Sequence, residues 1–549
     1  MQQLKKNITT TICLFACVTF AQAQRGGGND WLTENADAQR TSTIKSDAKI
    51  NKDSVTKPEN FKFLWKLKLK NKPNQLNNLM PPATLERLIG YKGFRMLGFV
   101  AGSGDNLITI DTDLGRLEWE KKLPAAASTV PDTLACPGGM TTGVVRPTTS
   151  MISTGGGGGF GGRSQPAKST VGEVGAGAAN LAVPAGPPPG PPPGPPPGMQ
   201  QARPARPGAP PVGAGFGGVS VVYALASDGM LHGMHLSNGA PYQDPIKFLP
   251  AGANASGLIL VDGIAYAATT NGCGGAANGL YAYDFESKQV ATWKGEVVGG
   301  AGAAFGGDGT VYVATTNGVT ALEPKTLQVK GTYSTTGQEF SSTPVVFQVN
   351  GKTLIAAATN DGSVHLLDAA NLSAAVATTP AGAKDSAPSS LASWQDAGGT
   401  RWILAAHNGA LPAGFTAPSA LGSGNILAKG TILAWKLTES GGNLSLHPGW
   451  TSRKLVSPLT PTIINGVVFA LSSGQFRTSD SKVTAAMRTA RSAPAVLYAL
   501  DGTTGKVLWD SGATITSFAR GGALSGGMGQ LYLTTYDGTL YAFGYPMEH

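Results

Sequence analysis

The chain predicts an all-β propeller of four-stranded antiparallel blades, eight of them, with seven as the alternative count. Three observations carry this prediction. A strand–turn–strand unit recurs along the sequence, Asp-Gly and Asn-Gly pairs fall between β-rich runs, and the composition is rich in turn formers. At 549 residues the chain exceeds one ordinary core, so it either divides into domains or stacks repeated units. The 76 glycines and 37 prolines, with only 14% charged residues, favour a turn-rich β protein over a helical one.

The clearest unit is Leu497-Tyr498-Ala499-Leu500-Asp501-Gly502-Thr503-Thr504-Gly505-Lys506-Val507-Leu508-Trp509. Apolar residues alternate on both sides of a polar turn, and Gly505 suits a position of positive φ. Degenerate copies run from Ile108 to Trp119, from Leu280 to Asp284 with Trp293 following, from Val319 to Glu323 and from Val364 to Asp368. The acidic positions Asp284, Glu323 and Asp368 lie 39 and 45 residues apart, the period of a four-stranded blade. The recurring acids, Asp111 and Asp501 included, read as turn caps. Asp228-Gly229, Asn317-Gly318, Asp361-Gly362 and Asp537-Gly538 are hairpin signals, expected as type I′ turns. A leading strand pair such as Pro461–Ala470 opens each unit.

Taken in order, the units span 89–123, 136–249, 257–296, 299–334, 340–380, 387–453 and 458–515. The stretch 520–545 supplies three more strands but no Trp-bearing outer one, and the strand 61–70 with Trp65 has no blade of its own. Pairing the two makes an eighth blade and removes an exposed sheet edge.

The string YALDGTTGKVLW resembles the repeat of the pyrroloquinoline-quinone (PQQ)-type propellers, the quinoprotein alcohol dehydrogenase-like family. DWLTENADAQRTS followed by FKFLWKLKLK is similar to the opening of exported bacterial members, with Glu34-Asn35-Ala36 where those carry Tyr-Gly-Gly. The resemblance covers most of residues 30–545. It implies that Trp65, Trp119, Trp293 and Trp509 dock between blades. For the enzymes of the family it also implies a bound quinone, a Ca²⁺ on the quinone carbonyl and a carboxylate base. The larger alcohol-oxidising members add a vicinal Cys-Cys pair. This chain has no adjacent cysteines and no string matching the cation ligands or the base, so no catalytic, quinone-binding or metal-binding residue carries over.

Residues 1–23 read as a secretory signal: Lys5 and Lys6, an apolar run from Ile8 to Phe20, then Ala21-Gln22-Ala23. Lipoprotein anchoring at Cys17 is the lesser alternative. Residues 24–549 are expected as one propeller domain without a transmembrane segment, in the periplasm or outside the cell. Within it, 150–218 (GGGGGFGG and PPPGPPPGPPPG) is expected as a disordered insertion. Excursions follow at 411–429 and 474–494. The latter carries Arg477, Lys482, Arg488 and Arg491, a candidate basic patch set against the reading of a plain solvated loop. The formal charge of +9 is mild for this length and shows no long basic run, so no nucleic-acid partner is expected.

Two cysteines remain after the signal. Cys136 is expected to begin an inner strand and Cys273 to lie in a turn of the neighbouring blade on the same face. A disulfide between them and two separate buried thiols are both open at this level. His232 and His235 are three apart on a strand and face opposite ways, which disfavours a shared metal. His407 sits at a strand end, either rim-facing or satisfied by its loop. The leading expectation is a monomeric, non-catalytic binding or assembly scaffold for a protein or glycan in the envelope, like the eight-bladed outer-membrane assembly scaffold that shares the repeat without a quinone. The alternative is a PQQ-dependent oxidoreductase with PQQ and Ca²⁺ as cofactors.

Overall fold

A computed structural model describes residues 30–546 apart from 58, 91–92, 128–132, 153–220, 385, 417–428 and 479. The expected signal with Cys17, and nearly all of the 150–218 insertion, lie outside the described residues. No helix among the described residues is long and apolar enough to cross a membrane.

The remaining chain forms eight antiparallel blades. We letter the strands a to d from the innermost outwards. Blade 1 runs from Ala83–Gly90 to Arg116–Lys122, so its inner strand begins ahead of the expected unit at residue 89. Blade 2 has three named strands, Val221–Leu225, Met230–His235 and Ile246–Lys247. Its inner position is held by Val145, which exchanges 2.9 Å hydrogen bonds with Tyr223. Blades 3 to 7 span 254–294, 304–334, 345–378, 391–451 and 462–510. Blade 8 takes Leu524–Gly527, Gln530–Thr534 and Thr539–Gly544 from the end of the chain and its outer strand Lys62–Lys68 from the beginning. Its strand order closes the ring as the sequence predicts.

A blade inside a ring buries both faces, and the strands show it: Val467–Ser472 is buried at every position. The apolar residues gather into eight clusters, one at each junction between neighbouring blades. Burial between sheets, at about 25 cal/mol per Å², therefore stabilises each blade through its neighbours.

The repeat's turns explain its residue types. Asp501 Oδ1 accepts hydrogen bonds from Thr503 N (2.8 Å) and Thr504 N (3.1 Å), capping its own turn. Gly505, at φ 71°, lies under Trp450 of the preceding blade, and a Cβ there would sit 2.4 Å from the indole. Trp450 Nε1 donates to Gly502 O at 2.9 Å. Trp65 and Trp119 make the same contact with Gly115 and Gly239 of the next blade, donating to Thr112 O (3.0 Å) and Leu236 O (2.9 Å). Trp509 packs edge-on against Phe61, 4.9 Å away, and Trp293 against the cluster between blades 3 and 4. The Asp-Gly hairpins are not type I′. Only the glycine has positive φ, as at Gly362 (81°), where Gly362 N bonds Thr359 O and Thr359 N bonds Ser363 O. This three-residue loop leaves the Asp in an ordinary conformation, free to cap the Ser363 N–H two residues on.

Candidate functional site

The a strand of each blade presents an open edge toward the centre of the ring. Unpaired N–H groups there need acceptors. Residues 31–47 supply them, blade after blade. Trp31 O accepts from Thr84 N (2.8 Å), Leu32 O from Arg146 N (2.9 Å), Ala38 O from Phe305 N (2.9 Å) and Gln39 O from Val346 N (3.0 Å). Thr41 O accepts from Ser393 N (3.0 Å) and Ser42 O from Ile463 N (2.9 Å). Thr33 Oγ1 donates to Leu258 O in blade 3, and Asp47 Oδ2 accepts from Gly529 N in blade 8. One segment thus touches all eight blades. The turns it needs put Asn35, Ala36, Arg40 and Ser42 at positive φ, between 55° and 75°.

Arg40 is the centre of this segment and is fully buried. Nε donates to Ala303 O (2.8 Å), Nη2 to Gly257 O (2.9 Å), and Nη1 to Glu34 O (2.6 Å) and Thr33 Oγ1 (3.0 Å). Burial lowers its pKa to about 10, against the opposing pull of Glu34 and Asp37. Burial also raises Glu34 and Asp37, more than Arg40 and their hydrogen bonds lower them.

These residues do not fit a quinone with its cation. Ca²⁺ takes six to eight oxygens, carboxylates among them. Asp37 is engaged by Thr41 N (2.9 Å) and Thr41 Oγ1 (2.7 Å), and Glu34 Oε1 accepts from Gly143 N (3.2 Å). Both face a guanidinium rather than a free metal position. Among the described residues no three His, Cys, Asp or Glu side chains group as a metal site.

Antiparallel strands send the b–c loops and d–a crossovers to one end of the ring and the a–b and c–d turns to the other. Cys136 and Cys273 meet at the b–c end, bonded through sulfur with Cα atoms 5.6 Å apart. Cys136 sits in a bend of the crossover, not on the expected inner strand, because the inner-strand pairing begins only near Val145. Cys273 occupies a short 3₁₀ turn between the second and third strands of blade 3. His407 is buried and satisfied: Nδ1 meets Ser386 Oγ at 2.6 Å and Nε2 meets Ala410 O at 2.7 Å. Ser386 is only 1% exposed, so this pair offers no substrate a nucleophile. His232 is buried with a lowered pKa, and His235 stacks edge-on with Tyr242. A cavity of about 570 Å³ borders His232, Met234, Tyr242 and Asp244, where the outer strand Ile246–Lys247 is too short to cover blade 2.

The 474–494 excursion is a b–c loop and contains a helix, Ala485–Arg491, where the sequence suggests only a loop. Thr484 caps the helix through Met487 N, and no helix residue is buried. Arg488 braces the loop, donating to Thr478 O (2.8 Å), Val483 O (3.2 Å) and Asp480 O (3.3 Å). Arg491 lies over the Phe476 ring at 5.3 Å, and Lys482 is exposed. A further arginine, Arg520, reaches the same place from the crossover between blades 7 and 8. Sequence reading misses it because it stands alone, outside any basic run. No carboxylate pairs with Arg477, Arg488, Arg491 or Arg520 among the described residues.

No protein-family model matches the chain, and no curated protein matches it. Solved structures do. The quinohemoprotein alcohol dehydrogenase from Comamonas testosteroni is 14% identical, with 95% of this chain and 81% of that chain covered and a TM-score of 0.53. A quinohemoprotein alcohol dehydrogenase from Pseudomonas putida HK5 is 10% identical over the same shares, with a TM-score of 0.52. BamB from Moraxella catarrhalis is 13% identical, with 60% of this chain and 81% of that chain covered and a TM-score of 0.38. At these identities the first two likenesses show the fold alone, and the third carries no argument.

Proposed function

We propose that this chain is an exported, monomeric propeller that binds a protein or glycan partner at its b–c end without catalysing a reaction. One observation carries the reading. The 474–494 loop is a built structure, with a capped helix and an arginine brace, yet its helix buries nothing. Order without a core role is the mark of a recognition element on a rigid scaffold. The Cys136–Cys273 bond supports export, since disulfides persist in oxidising compartments.

The quinoprotein alternative draws support from the fold shared with the two alcohol dehydrogenases. Against it stand the engaged axial carboxyls and the central arginine. Affinity capture from the envelope fraction, using the full chain and a chain lacking 474–494, tests the proposal. The full chain is expected to retain a partner that the shortened chain loses. A quinone absorption band with alcohol-dependent dye reduction, after adding PQQ and Ca²⁺, would overturn it.

A further inference from the structure

The backbone brings two parts of the b–c end together. Ala519 N donates to Ser473 O at 2.9 Å, and Ala495 N donates to Ser517 O at 3.0 Å. The crossover 517–520 is therefore laced to both feet of the 474–494 loop. Ser492 Oγ, accepting from Phe476 N at 2.9 Å, ties the helix end back to the loop's start. This places Arg477, Arg488 and Arg520 around one spot, where Arg520 feels the charges of the other two.

Their bonding is incomplete. Among the described residues Arg477 donates only through Nε, to Gln475 Oε1 at 3.3 Å. Arg520 makes no hydrogen bond or ion pair among the described residues, and no carboxylate among them offsets its charge. Both side chains are exposed, yet protein crowds them enough to lower both pKa values, Arg520 to about 10. Neighbouring like charges left unpaired repel each other, and an anion between them removes that cost. Guanidinium forks match the oxygens of a phosphoryl group, which carries up to two charges in three or more directions; a single carboxylate would satisfy one fork.

We propose that Arg477 and Arg520, with the charge of Arg488 beside them, form a binding site for a phosphoryl group at the b–c end of the ring. The proposal rests on the reading of that end as the binding end, and it narrows the partner to one bearing phosphate. Free phosphate, a phosphorylated sugar and a lipid headgroup share this chemistry.

The test is calorimetric titration of the full chain with pyrophosphate at low salt, beside sedimentation with vesicles of phosphatidylglycerol and of phosphatidylcholine. Arg520→Gln is the informative variant, because that side chain holds nothing in the fold. Arg116→Gln, at the opposite end, is the control. Arg520→Gln is expected to weaken phosphate binding about tenfold, the worth of one charge-assisted hydrogen bond. Arg116→Gln is expected to leave it unchanged, and both variants to melt like the parent. Binding to phosphatidylglycerol vesicles without pyrophosphate binding would assign the group to a headgroup, and the reverse to a soluble phosphate. Equal binding by parent and Arg520→Gln, or no binding of any phosphate, would overturn the site. An envelope partner still captured by Arg520→Gln and lost without 474–494 would overturn the site while leaving the scaffold reading intact.

Discussion

Residues 31–47 at the centre of the ring and residues 474–494 at its b–c end each depend on arginine, in opposite ways. At the centre, Arg40 is wholly buried and spends its guanidinium on Ala303 O, Gly257 O, Glu34 O and Thr33 Oγ1. At the end, Arg520 is exposed and spends nothing. The central segment is strained, with four non-glycine residues at positive φ within 35–42; the described part of the loop has positive φ only at Gly474. A segment held in strain is over-determined by its partners. The centre is thus a structural pin, and the end is a surface whose arginines meet no carboxylate among the described residues. The same residue type serves the fold in one place and is left over by it in the other.

The largest effect should come from breaking the pin. Arg40→Met leaves three carbonyl oxygens and the Glu34 carboxyl without their cation, at a position whose own side chain is fully buried. Loss of one partner of a buried charge network costs about 3–5 kcal/mol. Urea unfolding should therefore show a lower midpoint with phosphate affinity preserved. Arg520→Gln should do the reverse, with stability within about 0.5 kcal/mol of the parent. A stable Arg40→Met protein would erase the distinction between the two regions.

The sequence makes the ring legible and the pin almost illegible, for one physical reason. Blade strands and turns repeat, and each repeat needs particular side chains: Asp501 to cap, Gly505 to clear Trp450, apolar residues on both faces. Even the closure by Trp65's strand follows from counting strands. The central segment works mostly through backbone carbonyls, which any residue supplies, so few of its side chains, Thr33, Arg40 and Asp47 among them, carry a signal. The Asp-Gly pairs signal hairpins but not their geometry, since a three-residue loop accommodates the same two residues as a type I′ turn. Arg477 and Arg488 are visible as part of a basic stretch. Arg520 is not, because only the hydrogen bonds from Ala519 and Ala495 bring its crossover to the loop. An isolated arginine two residues after Phe518, in a crossover otherwise without charge, is the faint clue that remains.

Titration separates the centre from the periphery with opposite signs. Burial opposes the charge of Asp501, but hydrogen bonds from Thr503 and Lys52 outweigh it and hold the carboxyl at about 2. A depressed carboxyl contributes stability above its unfolded value, about 3.9, and loses it as pH falls toward 2. Glu34 and Asp37 are raised by burial, so their contribution is present below the unfolded value and is lost as pH rises through the folded one. Asp501→Asn should therefore destabilise at pH 7 and become neutral near pH 2. With Lys52 half-exposed and screened by water, the loss should be about 1 kcal/mol. Urea midpoints at pH 7 and pH 3 should show the gap between parent and variant narrowing. A gap that widens toward acid would mean the turn carboxyl is not stabilising.

The strain at the centre gives the smallest and most discriminating prediction. Asn35 and Ala36 stand at φ 56° and 75°, where the resembling propellers carry glycine. Left-handed backbone costs a non-glycine residue about 1 kcal/mol, somewhat less for Asn. Asn35 also has a buried side-chain Nδ2 with no partner, a further cost of about 1–3 kcal/mol when water cannot reach it. Its backbone oxygen accepts from Asp37 N and Ser42 N, and glycine keeps both bonds. Against these gains, glycine adds about 0.5–1 kcal/mol of unfolded-chain entropy. Asn35→Gly should then stabilise by at least about 0.5 kcal/mol. Ala36→Gly should destabilise slightly, by about 0.5 kcal/mol, because the methyl it deletes is buried against the cluster at Ile44 and Phe61 and contributes about 0.8 kcal/mol on top of the entropy cost. Paired thermal melts of the two variants test this directly. If Ala36→Gly stabilised more than Asn35→Gly, backbone strain alone would govern the pin, and the orphaned amide would have found a partner in water.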